Sequence, residues 1–227
     1  MKKLIKNILP QSLTNKLQKR LSQSAESVFT DIYRKKYWQV GESLSGPGSE
    51  MHATENIRKA IPKLIDEWKI KTIADVSCGD FHWMRTVDLS GVKYQGFDIV
   101  ADLIKTNIQK YQTEQISFGH MDIIKDDLVK VDLIFNRECL VHLSFHEIFN
   151  VLNNTKRSES KYLLTSTFPD WSENTDIVAG AWRPLNLEIA PFNFPQPLLL
   201  IEENYTANKK RESGRKCMGL WKITDLP

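Results

Sequence analysis

The stretch TIADVSCGD, residues Thr72 to Asp80, decides how this chain folds. It begins with a short apolar run that is followed by a turn with Gly79, which predicts a buried parallel strand ending in a tight turn. A second strand, Tyr94 to Ile99, is predicted further along and contains Asp98. Between them the sequence predicts a helix, because four apolar residues fit helical spacing: Phe81, Trp83, Met84 and Val87. The order of strand, turn, helix and strand predicts one half of an α/β nucleotide-binding fold.

Four residues are expected along one edge of this sheet, because ligands of a parallel sheet lie outside the carboxyl ends of its strands: Asp75, Gly79, Asp80 and Asp98. Gly79 stands alone in a turn where the pyrophosphate of a dinucleotide needs several glycines, so dinucleotide binding is disfavoured. Asp98 closes the second strand, where a carboxylate accepts the hydrogen bonds of a ribose diol. The alternative is a flavodoxin-like or other α/β domain in which Asp75 and Asp98 are solvated carboxylates.

The turn after the first strand resembles the first motif of the class I S-adenosylmethionine-dependent methyltransferases, D/E-x-G-x-G. The corresponding residues here are Asp75-Val76-Ser77-Cys78-Gly79, with Ser77 in place of the first glycine. The resemblance implies a Rossmann-like sheet of seven mostly parallel strands with helices on both faces and an N-terminal helical lid. It also implies S-adenosylmethionine as the cofactor and S-adenosylhomocysteine as the product. The residues assigned to the cofactor around this turn are Asp75, Ser77, Gly79, Asp80, Asp98 and Ile99.

The composition fits one folded core with an extension. Of the 227 residues, 41% are hydrophobic and 26% are charged, and we divide the chain into an extension with a lid loop, residues 1–50, and a methyltransferase domain, residues 51–227. No segment reaches roughly 18 consecutive apolar residues, and the first residues lack a signal-peptide cleavage pattern, so a cytoplasmic protein is expected. The formal net charge of +3 is too small to indicate nucleic-acid binding.

The cysteines give no sign of a metal or redox centre. Cys78, Cys139 and Cys217 cannot all pair with one another, and none of them lies in a C-x-x-C spacing. We therefore expect reduced thiols and no bound metal.

Residues 1–23 have isoleucine or leucine at every fourth position from Ile5 to Leu21, with lysine and arginine between them. This pattern predicts an amphipathic basic helix that is interrupted at Pro10. The helix either packs on the domain, or lies on the anionic inner face of a membrane or on a partner, and the sequence leaves these alternatives open.

A loop is predicted from Ser43 to Ser49, because two glycines and a proline within it disfavour both helix and strand. Its small hydroxyl residues and exposed amides can hold a carboxylate such as the methionine end of the cofactor, and the alternative is a solvated linker. Ser45, Gly46 and Ser49 are assigned to the cofactor on this basis. In the resembling family, the segment before the first strand commonly folds over cofactor and substrate as a lid.

A helix is predicted at Thr54 to Trp68, before the first strand, and another around Leu103 to Ile108, after the second. A third strand follows from Ile116 to His120. In the resembling family, a polar residue after this strand meets the adenine amino group and an apolar neighbour covers the ring. Asp122 and Met121 match these two positions, and the alternative for Met121 is a place in the core.

A fourth strand is predicted from Val131 to Asn136, and it is followed directly by the sequence RECLVHL, residues 137–143. This passage is similar to the D-x-I/V…V-L-x-H-L passage of many small-molecule methyltransferases. Asn136, Arg137 and Glu138 are expected at the carboxyl end of the strand, with Asn136 assigned to the cofactor and Arg137 to the substrate. The nucleic-acid amino-methyltransferases resemble one another in a D/N-P-P-Y/F tetrad that this chain lacks here, so no nucleic-acid partner is expected.

The last third of the chain predicts three more strands, Lys161–Thr167, Pro197–Glu203 and Gly219–Thr224. Between the first two lies a polar, proline-bearing insertion, residues 172–196. A structureless segment of this length inside a compact domain is usually functional, so we interpret it as a substrate lid.

Residues 37–49 and 190–195 also look like a bacterial subfamily that modifies surface or capsular sugars, which implies a sugar or sugar-nucleotide as the small-molecule substrate. Tryptophans can stack on pyranose faces, and arginine or asparagine can bond hydroxyls or a diphosphate, although tryptophans of a core give the same sequence. The side chains considered for these contacts are Trp38, Trp171, Trp182, Arg137, Arg183 and Asn186, and the residues assigned to the substrate are Trp38, Arg137, Asp170, Trp171 and Arg183.

A base is needed to take the proton of a sugar hydroxyl near neutral pH, which favours histidine. His142, after the fourth strand, is the first candidate, and His82, just after Gly79, is the second. Glu138 is a carboxylate that orients or replaces the imidazole, and the alternative for His142 is bracing the next helix. The predicted function is O-methylation of a sugar or nucleotide-activated sugar in bacterial surface polysaccharide synthesis. The alternatives are methylation of another small molecule, or a cofactor-binding adaptor without chemistry that docks through residues 1–23.

Overall fold

The computed structural model describes residues 23–39, 41–203 and 214–227. The amphipathic helix predicted over residues 1–23 lies outside this range except for Gln23. The basic stretch from Asn208 to Arg215, which the sequence predicts as a hairpin tip between the last two strands, also lies mostly outside it. In the described part of the chain, no helix is both long enough and apolar enough to cross a membrane.

Within the described ranges, seven strands form one sheet, as the sequence predicts. They are β1 (Thr72–Asp75), β2 (Lys93–Asp98), β3 (Ile116–His120), β4 (Leu133–Asn136), β5 (Tyr162–Thr167), β6 (Leu199–Glu202) and β7 (Cys217–Lys222). Their order across the sheet is β3-β2-β1-β4-β5-β7-β6. The first five strands pair in parallel, and β7 runs antiparallel to both β5 and β6. The predicted Rossmann-like architecture is therefore confirmed, with strand ends within two residues of their predicted positions.

Four α-helices of the described residues accompany the sheet: α1 (Ala25–Arg34), α2 (Glu55–Glu67), α3 (Ala101–Tyr111) and α4 (Phe145–Arg157). Helix α4 begins at a capping box, in which Ser144 and Glu147 each accept a hydrogen bond from the backbone of the other. This cap fixes where the chain turns from the segment after β4 into the helix.

The prediction of a helix directly after β1 is wrong. Gly79 and Phe81 both have φ 55°, in the left-handed region, and only a short 3-10 turn, Met84–Thr86, forms before β2, in a stretch that the structure describes throughout. A left-handed residue breaks the run of right-handed torsions that an α-helix requires. The apolar residues that suggested a helix are nevertheless buried, because a compact loop presents them to the same side of the sheet: Phe81, Trp83, Met84 and Val87.

Hydrophobic clusters cover the two faces of the sheet. One includes Ile57, Ile61 and Leu64 of α2, and the other includes Ile148 and Val151 of α4. Burial of such side chains contributes most of the free energy that holds a domain of this size together.

The segment over residues 172–196 is more than the polar lid that its composition indicates. Leu185, Leu187, Phe192 and Phe194 are at most 4% exposed and belong to the cluster beside α4. Phe168 N–H and Phe194 N–H bond the backbone carbonyls of Leu185 and Leu187 at 2.7 and 2.8 Å. The apolar residues of this insertion therefore form part of the core, and only a few of its residues reach the cavity described below.

Candidate active site

A cavity of about 670 Å³ lies at the carboxyl ends of the central strands. Its floor is formed by the residues after β1, β2, β3 and β4, where the parallel sheet brings loop residues to one edge. Its roof is formed by α1, which contributes Phe29, Ile32 and Tyr33, and by the loop over residues 44–49. The volume is within the range of ligand-binding pockets.

Asp98 closes β2 and lines this cavity. Its Oδ2 accepts the N–H of Gly79 at 3.0 Å and its Oδ1 accepts the N–H of Val100 at 2.9 Å. Burial raises the pKa of this carboxyl, although the two backbone donors oppose the shift. Each carboxylate oxygen keeps a second lone pair, so the group can accept two further hydrogen bonds from a diol.

The turn after β1 is joined to the loop that covers it. The Asp80 carboxylate accepts hydrogen bonds from Ser43 Oγ at 2.9 Å and from Leu44 N–H at 2.6 Å. Ser45 Oγ in turn accepts the N–H of Asp80 at 3.1 Å. A Cβ built on Gly79 would overlap Ser45 Oγ, so glycine here allows the loop to approach the turn closely.

Met121 and Asp122, the two residues predicted for an adenine ring, line the cavity, and so does Ile99, which was assigned to the cofactor. Met121 is 7% exposed and presents an apolar surface. The carboxylate of Asp122 accepts the N–H of Ile124 at 3.1 Å and pairs with Lys125 at 2.6 Å, so it is held in place by its own turn.

Asp75, the first acid of the motif, is 3% exposed and accepts a hydrogen bond from the Tyr94 hydroxyl at 2.7 Å. Burial raises the pKa of Asp75 to about 7, and the Tyr94 hydrogen bond only partly opposes this. Ser77, two residues on, also lines the cavity. Asp75 thus joins β1 to β2 beneath the site.

His142 ends the 3-10 turn Leu140–His142 and lines the cavity. Its Nδ1 lies 2.8 Å from the carbonyl oxygen of Ala181. A carbonyl only accepts, so Nδ1 carries the proton and Nε2 is the basic nitrogen of the neutral ring. Burial lowers the pKa of His142, and the Glu138 charge partly opposes the shift.

Glu138 and Arg137 belong to a buried network of charged side chains. Arg137 Nε lies 3.1 Å from Glu203 Oε1, and Lys216 Nζ lies 3.1 Å from Glu138 Oε1 and 3.4 Å from Glu203 Oε2. Burial disfavours the charged form of Glu138, but Lys216 and Arg137 outweigh it and lower the pKa of Glu138. Arg137 also donates to the carbonyl of Gly48 and lies over the ring of Trp83, so its guanidinium is largely occupied by the protein.

Four predicted site residues do not line the cavity. His82 pairs with Glu42 at 3.3 Å, and Asp170 forms an exposed ion pair with Arg215 at 2.8 Å. Arg183 is buried and donates to the backbone carbonyls of Leu140 and Leu143, which braces the turn that carries His142. Asn136 is 1% exposed and accepts a hydrogen bond from Thr165. Arg183 and Asp170 are therefore used by the protein itself, and of the two candidate histidines only His142 reaches the cavity.

The remaining predicted residues do meet at the cavity, which is lined by Trp38, Ser45, Gly46, Ser49, Gly79, Asp80 and Trp171. Glu203 and Lys216 were missed by sequence reasoning. They lie on either side of the β6–β7 connection and carry no motif, and only the antiparallel pairing of those strands brings them beside Arg137 and Glu138.

Comparison with solved structures places the fold among methyltransferases. Magnesium protoporphyrin IX methyltransferase from Synechocystis PCC 6803, solved with bound S-adenosylhomocysteine, is 13% identical over 87% of this chain and 95% of its own, with a TM-score of 0.58. The 1,6-didemethyltoxoflavin-N1-methyltransferase of Burkholderia thailandensis is 14% identical over 94% of this chain and 92% of its own, with a TM-score of 0.59. The N-methyltransferase NodS of Bradyrhizobium japonicum WM9 is 10% identical over 77% of this chain and 98% of its own, with a TM-score of 0.53.

No protein-family model matches the sequence, and no curated protein matches it significantly. At these identities the structural similarity establishes the fold of the S-adenosylmethionine-dependent methyltransferases for this chain.

Proposed function

We propose that this chain is an S-adenosylmethionine-dependent methyltransferase that methylates a hydroxyl of a sugar or nucleotide-activated sugar used in bacterial surface polysaccharide synthesis. The observation that carries the proposal is one cavity that holds both the Asp98 carboxylate at the end of β2 and the imidazole of His142 after β4. The first is a diol acceptor and the second is a base.

The residues of the cavity fit S-adenosylmethionine by their chemistry. Asp98 offers two carboxylate oxygens to a ribose diol, and the apolar side chains of Ile99 and Met121 suit an adenine ring. Ser45 and Ser49 lie in the loop over the turn, beside Gly79, where a methionine carboxylate can be bonded. The neighbours from Synechocystis and Burkholderia, solved with S-adenosylhomocysteine, support this choice of cofactor.

The chemistry that the bound cofactor supplies is an electrophilic methyl group on a sulfonium. The chain would contribute His142, whose Nε2 would take the proton that the acceptor hydroxyl loses when its oxygen receives this methyl group. Because Ala181 holds Nδ1–H, the imidazole cannot turn Nε2 away without losing that hydrogen bond. Positioning of the two reactants by the cavity walls supplies much of the remaining acceleration.

Other side chains of the cavity that holds His142 suit a sugar acceptor. Trp171 and Trp182 line the cavity and offer aromatic surface for a pyranose face, and the ionised carboxylate of Glu138 accepts hydrogen bonds from hydroxyls. The three neighbours act, by their descriptions, on a porphyrin, a toxoflavin precursor and, for NodS, an N-methylation substrate, so the sugar assignment comes from the resemblance and from this lining.

Two measurements test the proposal. Isothermal titration should show S-adenosylhomocysteine binding, and incubation with methyl-labelled S-adenosylmethionine and a mixture of nucleotide-sugars should give one labelled sugar per S-adenosylhomocysteine released. No binding of S-adenosylhomocysteine overturns the function as a whole. Transfer only to other small molecules overturns the sugar assignment, and binding without any transfer favours the adaptor.

Replacement of Gly79 by valine is expected to weaken S-adenosylhomocysteine binding about tenfold, because the new side chain overlaps Ser45 Oγ and displaces the loop that covers the site. Isothermal titration measures the effect.

Gly91→Val is the matched control. Gly91 also has a positive φ, 74°, but no described atom lies within 4 Å of its added Cβ, so it carries a similar backbone strain without the overlap. Equal losses of affinity in the two variants would show that strain, rather than the loop, causes the effect.

A further inference from the structure

The indole of Trp38 packs against the imidazole of His142. The two ring centroids lie 4.6 Å apart with an interplanar angle of 32°. Phe29 of α1 also contacts Trp38, with ring centroids 5.9 Å apart. The face of Trp38 that touches His142 is therefore not open to a pyranose, which changes the assignment that the sequence suggested for this tryptophan.

His142 is thereby held in two directions. The carbonyl of Ala181 fixes the edge of the ring that carries Nδ1, and the Trp38 indole covers a face of the ring. Hydrogen bonding at one nitrogen sets the tautomer, while an aromatic contact sets the tilt of the ring plane and excludes water from that face. Together they restrict the direction in which Nε2 points.

Trp38 is also joined to the loop over the first turn. Gly46 has φ 99°, and a Cβ built on it would lie 3.4 Å from the Cβ of Trp38, so the loop backbone passes close to the tryptophan. The same loop is bonded to Asp80 through Ser43 Oγ and Leu44 N–H. A continuous series of contacts therefore connects the turn after β1 with the base after β4.

We propose that Trp38 is a positioning residue for His142: its indole sets the plane of the imidazole and connects the base to the loop that Asp80 holds. The inference rests on the proposed function, in which His142 is the base. It assigns the part of the chain before the sheet to the reaction itself and not only to covering the cavity.

The charges around His142 determine how this can be measured. Burial lowers the pKa of His142, the carboxylate of Glu138 raises it, and Arg183 and Lys216 lower it. Loss of the indole admits water to the ring and leaves these charges in place, so the pKa should rise toward the ordinary value of about 6.5. Replacement of a residue that only fills space in the core would change neither the tautomer of His142 nor its pKa.

The experiment is a pH titration of the full chain with ¹⁵N-labelled histidine rings, followed by NMR, with the His142 signals assigned by their loss in His142→Asn. The parent should show one tautomer, with Nδ1 protonated, and contacts between the Trp38 and His142 ring protons. In Trp38→Leu the single tautomer should be lost and the pKa should rise, whereas Trp38→Phe, which keeps an aromatic ring there, should stay near the parent.

Trp68→Leu is the control, because it removes an indole that packs on Tyr162, away from the cavity lining, and should leave the His142 signals unchanged. Asp80→Ala, which does not touch the ring, should shift the same signals in the direction of Trp38→Leu. Unchanged His142 signals in Asp80→Ala overturn the connection to the loop, and an unchanged tautomer and pKa in Trp38→Leu overturn the positioning role.

If Trp38→Leu does not fold, the spectrum of the parent protein still tests the proposal. The absence of NMR contacts between the ring protons of Trp38 and His142 in the parent overturns it. These readouts need no acceptor. If the single tautomer and the Trp38–His142 ring contacts are observed but no methyl transfer is found, the proposed function is wrong. If methyl transfer is found without that tautomer and those contacts, the positioning role of Trp38 is wrong.

Discussion

Replacement of His142 by asparagine is expected to lower turnover about a hundredfold or more, while the affinity for S-adenosylhomocysteine stays unchanged. Asparagine can still donate an amide N–H to the carbonyl of Ala181, so the turn should keep its shape. It offers no basic nitrogen, and the acceptor proton then has no partner when the oxygen attacks. Single-turnover kinetics with labelled methyl donor, together with isothermal titration, separate the two effects.

The matched control is His82→Asn, which removes the other candidate histidine. Because His82 pairs with Glu42 and does not line the cavity, near-parental turnover is expected. If His82→Asn loses the activity and His142→Asn keeps it, the assignment of the base is wrong.

The acidic limb of the pH–rate profile belongs to the same prediction. The base acts only when neutral, so the rate is full above the pKa of His142 and falls as the pH drops through it. Burial lowers that pKa, so the fall should begin at a more acidic pH than an exposed histidine would give. This limb should disappear from the residual activity of His142→Asn.

Replacement of Asp98 by asparagine is expected to weaken S-adenosylhomocysteine binding by about 2 kcal/mol, or about thirtyfold. The carboxylate already accepts the N–H groups of Gly79 and Val100, and its other lone pairs are those proposed for the ribose diol. An amide of the same size loses the charge and turns one acceptor into a donor. Isothermal titration at constant pH measures the change.

Asp88→Asn serves as the control, because Asp88 also accepts a backbone N–H, that of Ser90 at 3.0 Å, but lies outside the cavity lining. Its affinity should equal that of the parent. Binding by Asp98→Asn within twofold of the parent would place the ligand elsewhere. Burial raises the pKa of Asp98, so the carboxylate becomes protonated at a higher pH than an exposed aspartate would. As the pH is lowered, the affinity of the parent for S-adenosylhomocysteine should therefore begin to fall at that higher pH.

The resemblance and the local sequence pattern together predicted the sheet and one half of the site. Short apolar runs that end at polar turns predict parallel strands. The carboxyl ends of such strands lie at one edge of the sheet, independently of the conformation of the loops. For this reason the sequence alone predicts that Gly79, Asp98 and Met121 lie at one edge of the sheet. Each of them follows or ends a strand whose periodicity is visible over a few residues.

The helix after β1 shows where local pattern fails. Apolar residues at helical spacing indicate which side chains are buried, and Phe81 and Met84 are, but they do not decide the torsion angles that bury them. Two left-handed residues at Gly79 and Phe81 give the same burial by a different route.

The amino-acid sequence by itself determined the strands, the turn at Gly79 and the acid at Asp98, because these depend on neighbours along the chain. Only the tertiary structure placed His142 at the cavity and His82 away from it, brought Arg183 to the turn that carries His142, paired Lys216 with Glu138 and placed Trp38 against His142. Each of these facts is a contact between segments far apart in sequence. The paths of the loops between the strands determine which distant residues come into contact. These contacts produce no periodic pattern in the sequence, so local pattern does not predict them.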